Sequence, residues 1–123
     1  MRFAKWVFRL AGVYGLIVMT PFYFLEPQIS AASAQPIAHL EYYYGFVGAA
    51  LAFQAMFLVI STDPARYRPA MIPSVLEKLL FAAPVLVLCL RGRVAAGVAP
   101  FAAIDLLLGV LFAASWLRTR PTA

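Results

Sequence analysis

Four apolar stretches, each near the length needed to cross a bilayer, take up most of this 123-residue chain. A helix needs ~20 mainly apolar residues to span the hydrocarbon. Residues 5–25, 42–61, 72–90 and 98–117 meet that requirement. Backbone polar groups inside lipid must be satisfied within the segment, and a helix of this length does so by itself. The connections between spans are short enough to turn each helix back beside the one before it. The pattern therefore predicts an all-α membrane protein of one domain, a four-transmembrane-helix antiparallel bundle over residues 1–123.

Composition agrees. Hydrophobic residues make up 64% of the chain and charged residues 12%. A soluble domain is closer to half apolar, and one this small could not cover so much apolar surface with so few charges. The net charge of +5 raises the question of nucleic acid. Its placement excludes that partner, because the basic residues flank the apolar runs instead of forming one patch. Of the ten, only Lys78 lies deep within a run.

Basic residues also predict the orientation. Arg2, Lys5, Arg9, Arg66, Arg68, Arg118 and Arg120 fall on one side of such a bundle, and Arg91 and Arg93 on the other. The side richer in Lys and Arg is the cytoplasmic one, so both termini of this multi-pass protein are expected in the cytoplasm. The chain start admits a second reading as a signal peptide, with Ala32-Ser33-Ala34 as the cleavage site. The long apolar stretch and its aromatic end (Phe22, Tyr23, Phe24) favour a retained first helix.

The segment at residues 26–41 reads as a polar loop, and residues 62–71 and 91–97 as short turns. Pro73 and Pro100 suit the first turn of a helix. Pro21 and Pro84 lie deeper, where a kink is expected. Cys89 is the single cysteine, so no internal disulfide exists, and a small apolar packing role is expected for it. Nothing in the chain calls for a cofactor: it has no glycine-rich phosphate loop, no C-x-x-C and no H-E-x-x-H.

Ionisable residues within a membrane are expensive and mark candidate sites. Three occur here, Glu77 and Lys78 in the third span and Asp105 in the fourth, with Gln54 polar but uncharged in the second. Helical spacing places Ser74, Glu77, Phe81, Pro84 and Leu88 on one face of the third span. Phe101, Asp105, Gly109, Phe112 and Trp116 share a face of the fourth, Tyr14, Val18 and Pro21 one of the first, and Tyr43, Gln54 and Ser61 one of the second. The expected inner lining is Tyr14, Tyr43, Gln54, Ser74, Glu77 and Asp105. Depth suggests a Gln54–Glu77 hydrogen bond. It also puts Asp105 ~8–9 Å from Glu77 along the axis by rise per residue, hence two separate polar levels. Lys78 is close enough to a boundary to snorkel. Gly45, Gly48, Ala49, Ala52 and Ala55 form a small-residue stripe suited to close helix contact. His39 and Glu41 are too few for a metal site and read as an interfacial loop beside the aromatic belt of Tyr42, Tyr43 and Tyr44.

The Tyr-Tyr-Gly-Phe start of the second span (residues 43–46), the Asp-Pro-x-Arg-Tyr-Arg-Pro turn (residues 63–69), the Glu77-Lys78 pair and the Asp-Leu-Leu-Leu-Gly run (residues 105–109) give the chain a family likeness. It resembles small bacterial four-helix inner-membrane proteins that are uncharacterised or called DoxX-like. The resemblance implies the same four-helix fold over most of the chain. Relatives under that label are linked to quinone-coupled or redox membrane complexes, so a quinone is one form a lipophilic ligand could take. No residue pattern here marks a quinone site.

Three functional readings follow. The first is a non-enzymatic protein of the lipid bilayer, either an accessory subunit beside a membrane protein partner or a second copy, or a binder of a lipophilic molecule. The second is a proton-coupled small transporter subunit using Glu77 and Asp105. It departs from small drug exporters, which carry their acidic residue in the first helix, where this chain has none between Arg9 and Glu26. The third is a membrane enzyme acting on a lipid-like substrate with one of these carboxyls as acid or base.

Overall fold

The computed structural model describes residues 2–32 and 36–119. The expected cleavage site at Ala32-Ser33-Ala34 reaches beyond those residues, as does Arg120. The described residues form five α-helices and no strand: α1 (Arg2–Met19), α2 (Glu26–Ala32), α3 (Leu40–Thr62), α4 (Met71–Leu90) and α5 (Ala99–Arg118). With the 3-10 turns that extend three of them, α1, α3, α4 and α5 are long and apolar enough to cross a membrane.

Local chemistry sets the helix boundaries. Pro21 ends α1 instead of kinking it: the chain tightens at Thr20 into a 3-10 turn through Tyr23, because proline cannot donate the next helical hydrogen bond. The segment at residues 26–41 is not all loop. Its first part is α2, opened by Glu26 and Pro27, an acid and a proline suited to a helix start. Pro100 begins α5, and α4 continues through Pro84. Gly92 turns the chain after α4 with φ of 69°, a backbone region that glycine enters freely.

The helices pack as two close pairs, α1 with α3 and α4 with α5. The pairs meet mainly through α1 and α5, whereas α3 and α4 touch little despite the short turn between them. One part of the bundle is solid. Phe8 stacks on Phe112 with centroids 4.2 Å apart, and Phe57 meets the Phe112 ring edge-on at 4.8 Å. Ala4, Ala11, Ile60 and Met71 close around these rings. Arg68 ties the base of α4 to α5, with its guanidinium over the Trp116 ring and Nε donating to the Trp116 carbonyl at 3.0 Å.

The outer surface is apolar. Ile17 (69% exposed), Leu80 (70%), Leu107 (58%) and Val110 (58%) point away from the bundle. Contiguous exposure on that scale is costly in water and is the ordinary surface of a protein whose solvent is lipid. The small-residue stripe of α3 belongs to this surface, on the side of the helix away from the buried Gln54 and Ser61. Gly45, Ala49, Ala52 and Ala55 are exposed, and a Cβ on Gly45 would meet nothing within 4 Å. Of that stripe, Gly48 is tucked under the Tyr23 hydroxyl. Close approach comes from other glycines. A Cβ on Gly15 would collide with the Gln54 carboxamide, and one on Gly109 would lie 3.2–3.3 Å from Leu79 and the stem of Lys78.

Because Gly109 sets the spacing of α4 and α5, Gly109→Leu is expected to lower the Tm of the detergent-solubilised protein by several degrees, an effect of about 1–3 kcal/mol for overpacking. Ala103→Leu, at an exposed position of the same helix, is expected to leave it unchanged. Tryptophan fluorescence or scanning calorimetry reads both.

Candidate functional site

Beyond the aromatic core the two helix pairs border a partly open cavity of about 450 Å³. Its walls come from the last turns of α1, the first half of α3, the middle of α4 and the first half of α5. Most of the lining is apolar: Val18 and Met19 from α1 and Phe22 from the 3-10 turn after it, Phe46, Val47 and Ala50 from α3, Phe81 from α4, Val98 from the 3-10 turn before α5, and Phe101 from α5. The Phe46 and Phe81 rings face each other across the gap between α3 and α4, with centroids 5.8 Å apart. Tyr14, Tyr43, Gln54, Glu77, Lys78 and Asp105 supply the polar groups.

Charge gathers around one side chain. Lys78 is 3% exposed, and its Nζ lies 3.3 Å from Asp105 Oδ1 and 3.6 Å from Glu77 Oε2. The ammonium also stands 5.3 Å from the centroid of Phe57, so a cation–π contact ties the charged group to the aromatic core. This arrangement overturns two expectations. Lys78 does not snorkel to a boundary. The two acidic residues do not occupy separate levels either, because one ammonium joins them. The axial separation inferred from backbone rise omitted the lysine's own four-carbon stem, which reaches along the bundle to Asp105.

The expected Gln54–Glu77 hydrogen bond is replaced by a local one. Gln54 Nε2 donates to the Ala50 carbonyl at 2.8 Å. Its Oε1 is fully buried and accepts no hydrogen bond among the described residues, and the same holds for Glu77 Oε2. The physical reason is the separation of α3 from α4: the cavity stands where the direct contact was expected. Gly15 makes room for the Gln54 side chain.

Of the six residues expected to line the interior, Tyr14, Tyr43, Gln54, Glu77 and Asp105 border the cavity. Ser74 does not. It is fully buried within the packed part, and its hydroxyl donates to the Ala70 carbonyl at 2.7 Å. Tyr43 reaches the 3-10 turn that follows α1 by donating its hydroxyl to the Phe22 carbonyl. Ser61 is likewise buried, bonded to the Leu58 carbonyl. His39 and Glu41 are exposed and 3.4 Å apart. Cys89 is half-buried, its Sγ 4.0 Å from the Ala95 carbonyl.

Lys78 is the lining residue that the sequence reading misassigned. A signal for it was present: Met71, Ser74, Lys78 and Ala82 are the buried residues of α4, and their spacing is that of one helical face. Glu77 lies about 100° round from Lys78, at the edge of the same groove. Phe46 and Phe22 carried no signal, since aromatic residues are common throughout the apolar runs.

Compared with known proteins, the chain matches no family model, no curated protein and no solved structure.

Where one buried ammonium holds two carboxyls, removal of the cation alone is worse than removal of all three charges. Lys78→Met is expected to destabilise the protein by about 3–5 kcal/mol by leaving buried acids without their cation. Replacing Glu77, Lys78 and Asp105 together with Gln, Met and Asn is expected to restore most of that loss. Equilibrium unfolding of the single, paired and triple variants in mixed micelles measures the difference.

Proposed function

We propose that this chain is a non-enzymatic protein of a bacterial inner membrane that holds a lipophilic small molecule inside its helix bundle. The observation that carries this reading is the cavity of about 450 Å³ with mostly apolar walls and a small group of polar side chains among them. Small-molecule sites have that character: mostly apolar lining, a few placed polar groups, and a volume of roughly 300–1,000 Å³. A ligand entering from lipid would leave its tail among Phe22, Phe46, Phe81 and Phe101. It would bring a polar head to Gln54, Glu77 and Asp105. The likeness to DoxX-like four-helix proteins is part of this proposal and makes a quinone one candidate for the tail-and-head ligand.

The bundle is proposed to be antiparallel, with both termini cytoplasmic. The α1–α3 contacts support the first point, since Phe8 meets Phe57 while Tyr43 meets Phe22. The distribution of basic residues supports the second. In this orientation the cavity lies in the leaflet away from the cytoplasm, and the aromatic core and Arg68 lie towards it.

Two outcomes check the proposal. Native mass spectrometry of the protein purified in mild detergent is expected to show a bound lipophilic molecule, and Val98→Trp, which fills the cavity from its rim, is expected to remove the adduct without changing helix content. Absence of any adduct from the unmodified protein would count against a resident ligand. For orientation, single cysteines are placed in a Cys89→Ala background. One at Ala95 is expected to react with a membrane-impermeant maleimide added to intact cells, and one at Ala65 to react only after lysis.

A further inference from the structure

The charges lining the cavity do not balance. Glu77 and Asp105 are acidic and Lys78 is basic, and the remaining polar lining groups, Tyr14, Tyr43 and Gln54, carry no charge as neutral phenols and an amide. Two carboxyls therefore share one ammonium. An uncompensated carboxylate inside a membrane protein is costly. Neutrality in the cavity requires one further positive charge, supplied either by a proton or by a bound cation.

Geometry separates the two acids. Asp105 holds the ammonium more closely, with Lys78 Nζ donating to Oδ1 at 3.3 Å. Glu77 Oε2 stands at 3.6 Å from the same nitrogen and accepts no hydrogen bond among the described residues. Glu77 is thus the less engaged acid. The charged groups that act on it are Lys78 on its own helix and Asp105 on α5, and the other titratable groups of the cavity lining are Tyr14 on α1 and Tyr43 on α3. The walls suit an apolar tail, because Phe46, Phe81 and Phe101 supply apolar surface. An anion would meet an ammonium already shared by two carboxyls, and a neutral molecule would gain nothing from the charge.

We propose that the cavity takes an amphipathic organic cation, whose charge replaces a proton on the Glu77 carboxyl. The inference rests on the lipophilic-binder reading and names its ligand class. In the exchange the Glu77 O–H bond breaks and its proton passes to water. The resulting carboxylate pairs with the cation without forming a covalent bond, and the charge within the cavity is the same before and after.

The test uses the full chain in a neutral maltoside micelle, with decyltrimethylammonium as probe and decanol as its uncharged match. The quaternary head has no proton of its own, so any proton released comes from the protein. Titration calorimetry in two buffers of different ionisation enthalpy counts that proton. The cation is expected to bind at least about tenfold more tightly than decanol, as one added charge pair of roughly 1.4 kcal/mol requires. Its affinity is expected to rise with pH, and about one proton is expected to leave per cation bound. Glu77→Gln is expected to bring the affinities of the two probes to within about twofold of each other and to end the proton release, with monodisperse elution and unchanged helix content. Equal binding of the two probes would overturn the proposal and leave the lipophilic-binder reading standing. Cation binding without proton release at any pH would overturn the exchange. Failure of both probes to bind would overturn the parent reading as well. The proton count and pH series on the unaltered protein decide the matter even where the variant does not fold.

Discussion

The buried ammonium of Lys78 is the interaction on which the rest of this structure depends. It lies between two carboxyls on one side and the face of Phe57 on the other, and so touches both the cavity and the core. Charges taken out of water into a bundle need partners, and a single unmatched member would be more costly than none. That requirement fixes α4 against α5 at one register, because Lys78 and Asp105 must stay within reach. Gly109 serves the same contact by letting the backbone of α5 approach the lysine stem.

From this junction the bundle divides into a packed part and a hollow part. In the packed part the rings of Phe8, Phe57 and Phe112 interlock with Met71 and Ile60. Lipid tails are as apolar as these side chains, so their advantage lies in shape and close contact more than in escape from solvent. In the hollow part α3 and α4 separate, and phenylalanine rings line the space between them. The polar groups gather at the boundary of the two parts. A ligand with an apolar body and a polar or charged head would find each end matched within one cavity.

Many of the buried polar groups bond within their own helix. Gln54, Ser61, Ser74 and Ser115 each donate to a carbonyl three or four residues back in their own helix. Such bonds satisfy the donor without a neighbouring helix. What they leave over, chiefly Gln54 Oε1 and Glu77 Oε2, lies beside the cavity.

The sequence by itself determined the four long helices. Apolar run length and the exclusion of charge from the runs are one-dimensional properties, read against a fixed bilayer thickness. Helical spacing likewise placed Tyr14, Gln54, Glu77 and Asp105 near one interior. The tertiary structure alone decided which helices touch. Chain order suggested an α3–α4 contact, yet α1 pairs with α3 and α4 with α5, and the Gln54–Glu77 bond gave way to a cavity. It also decided that the small-residue stripe faces outward, since a stripe of glycine and alanine fits a close helix contact and a lipid-facing surface equally well. Lys78 was the most consequential case. Its depth was legible, but whether its flexible stem ran to the boundary or into the bundle depended on Asp105, 27 residues away in sequence, and on a helix face that no local pattern could place opposite it.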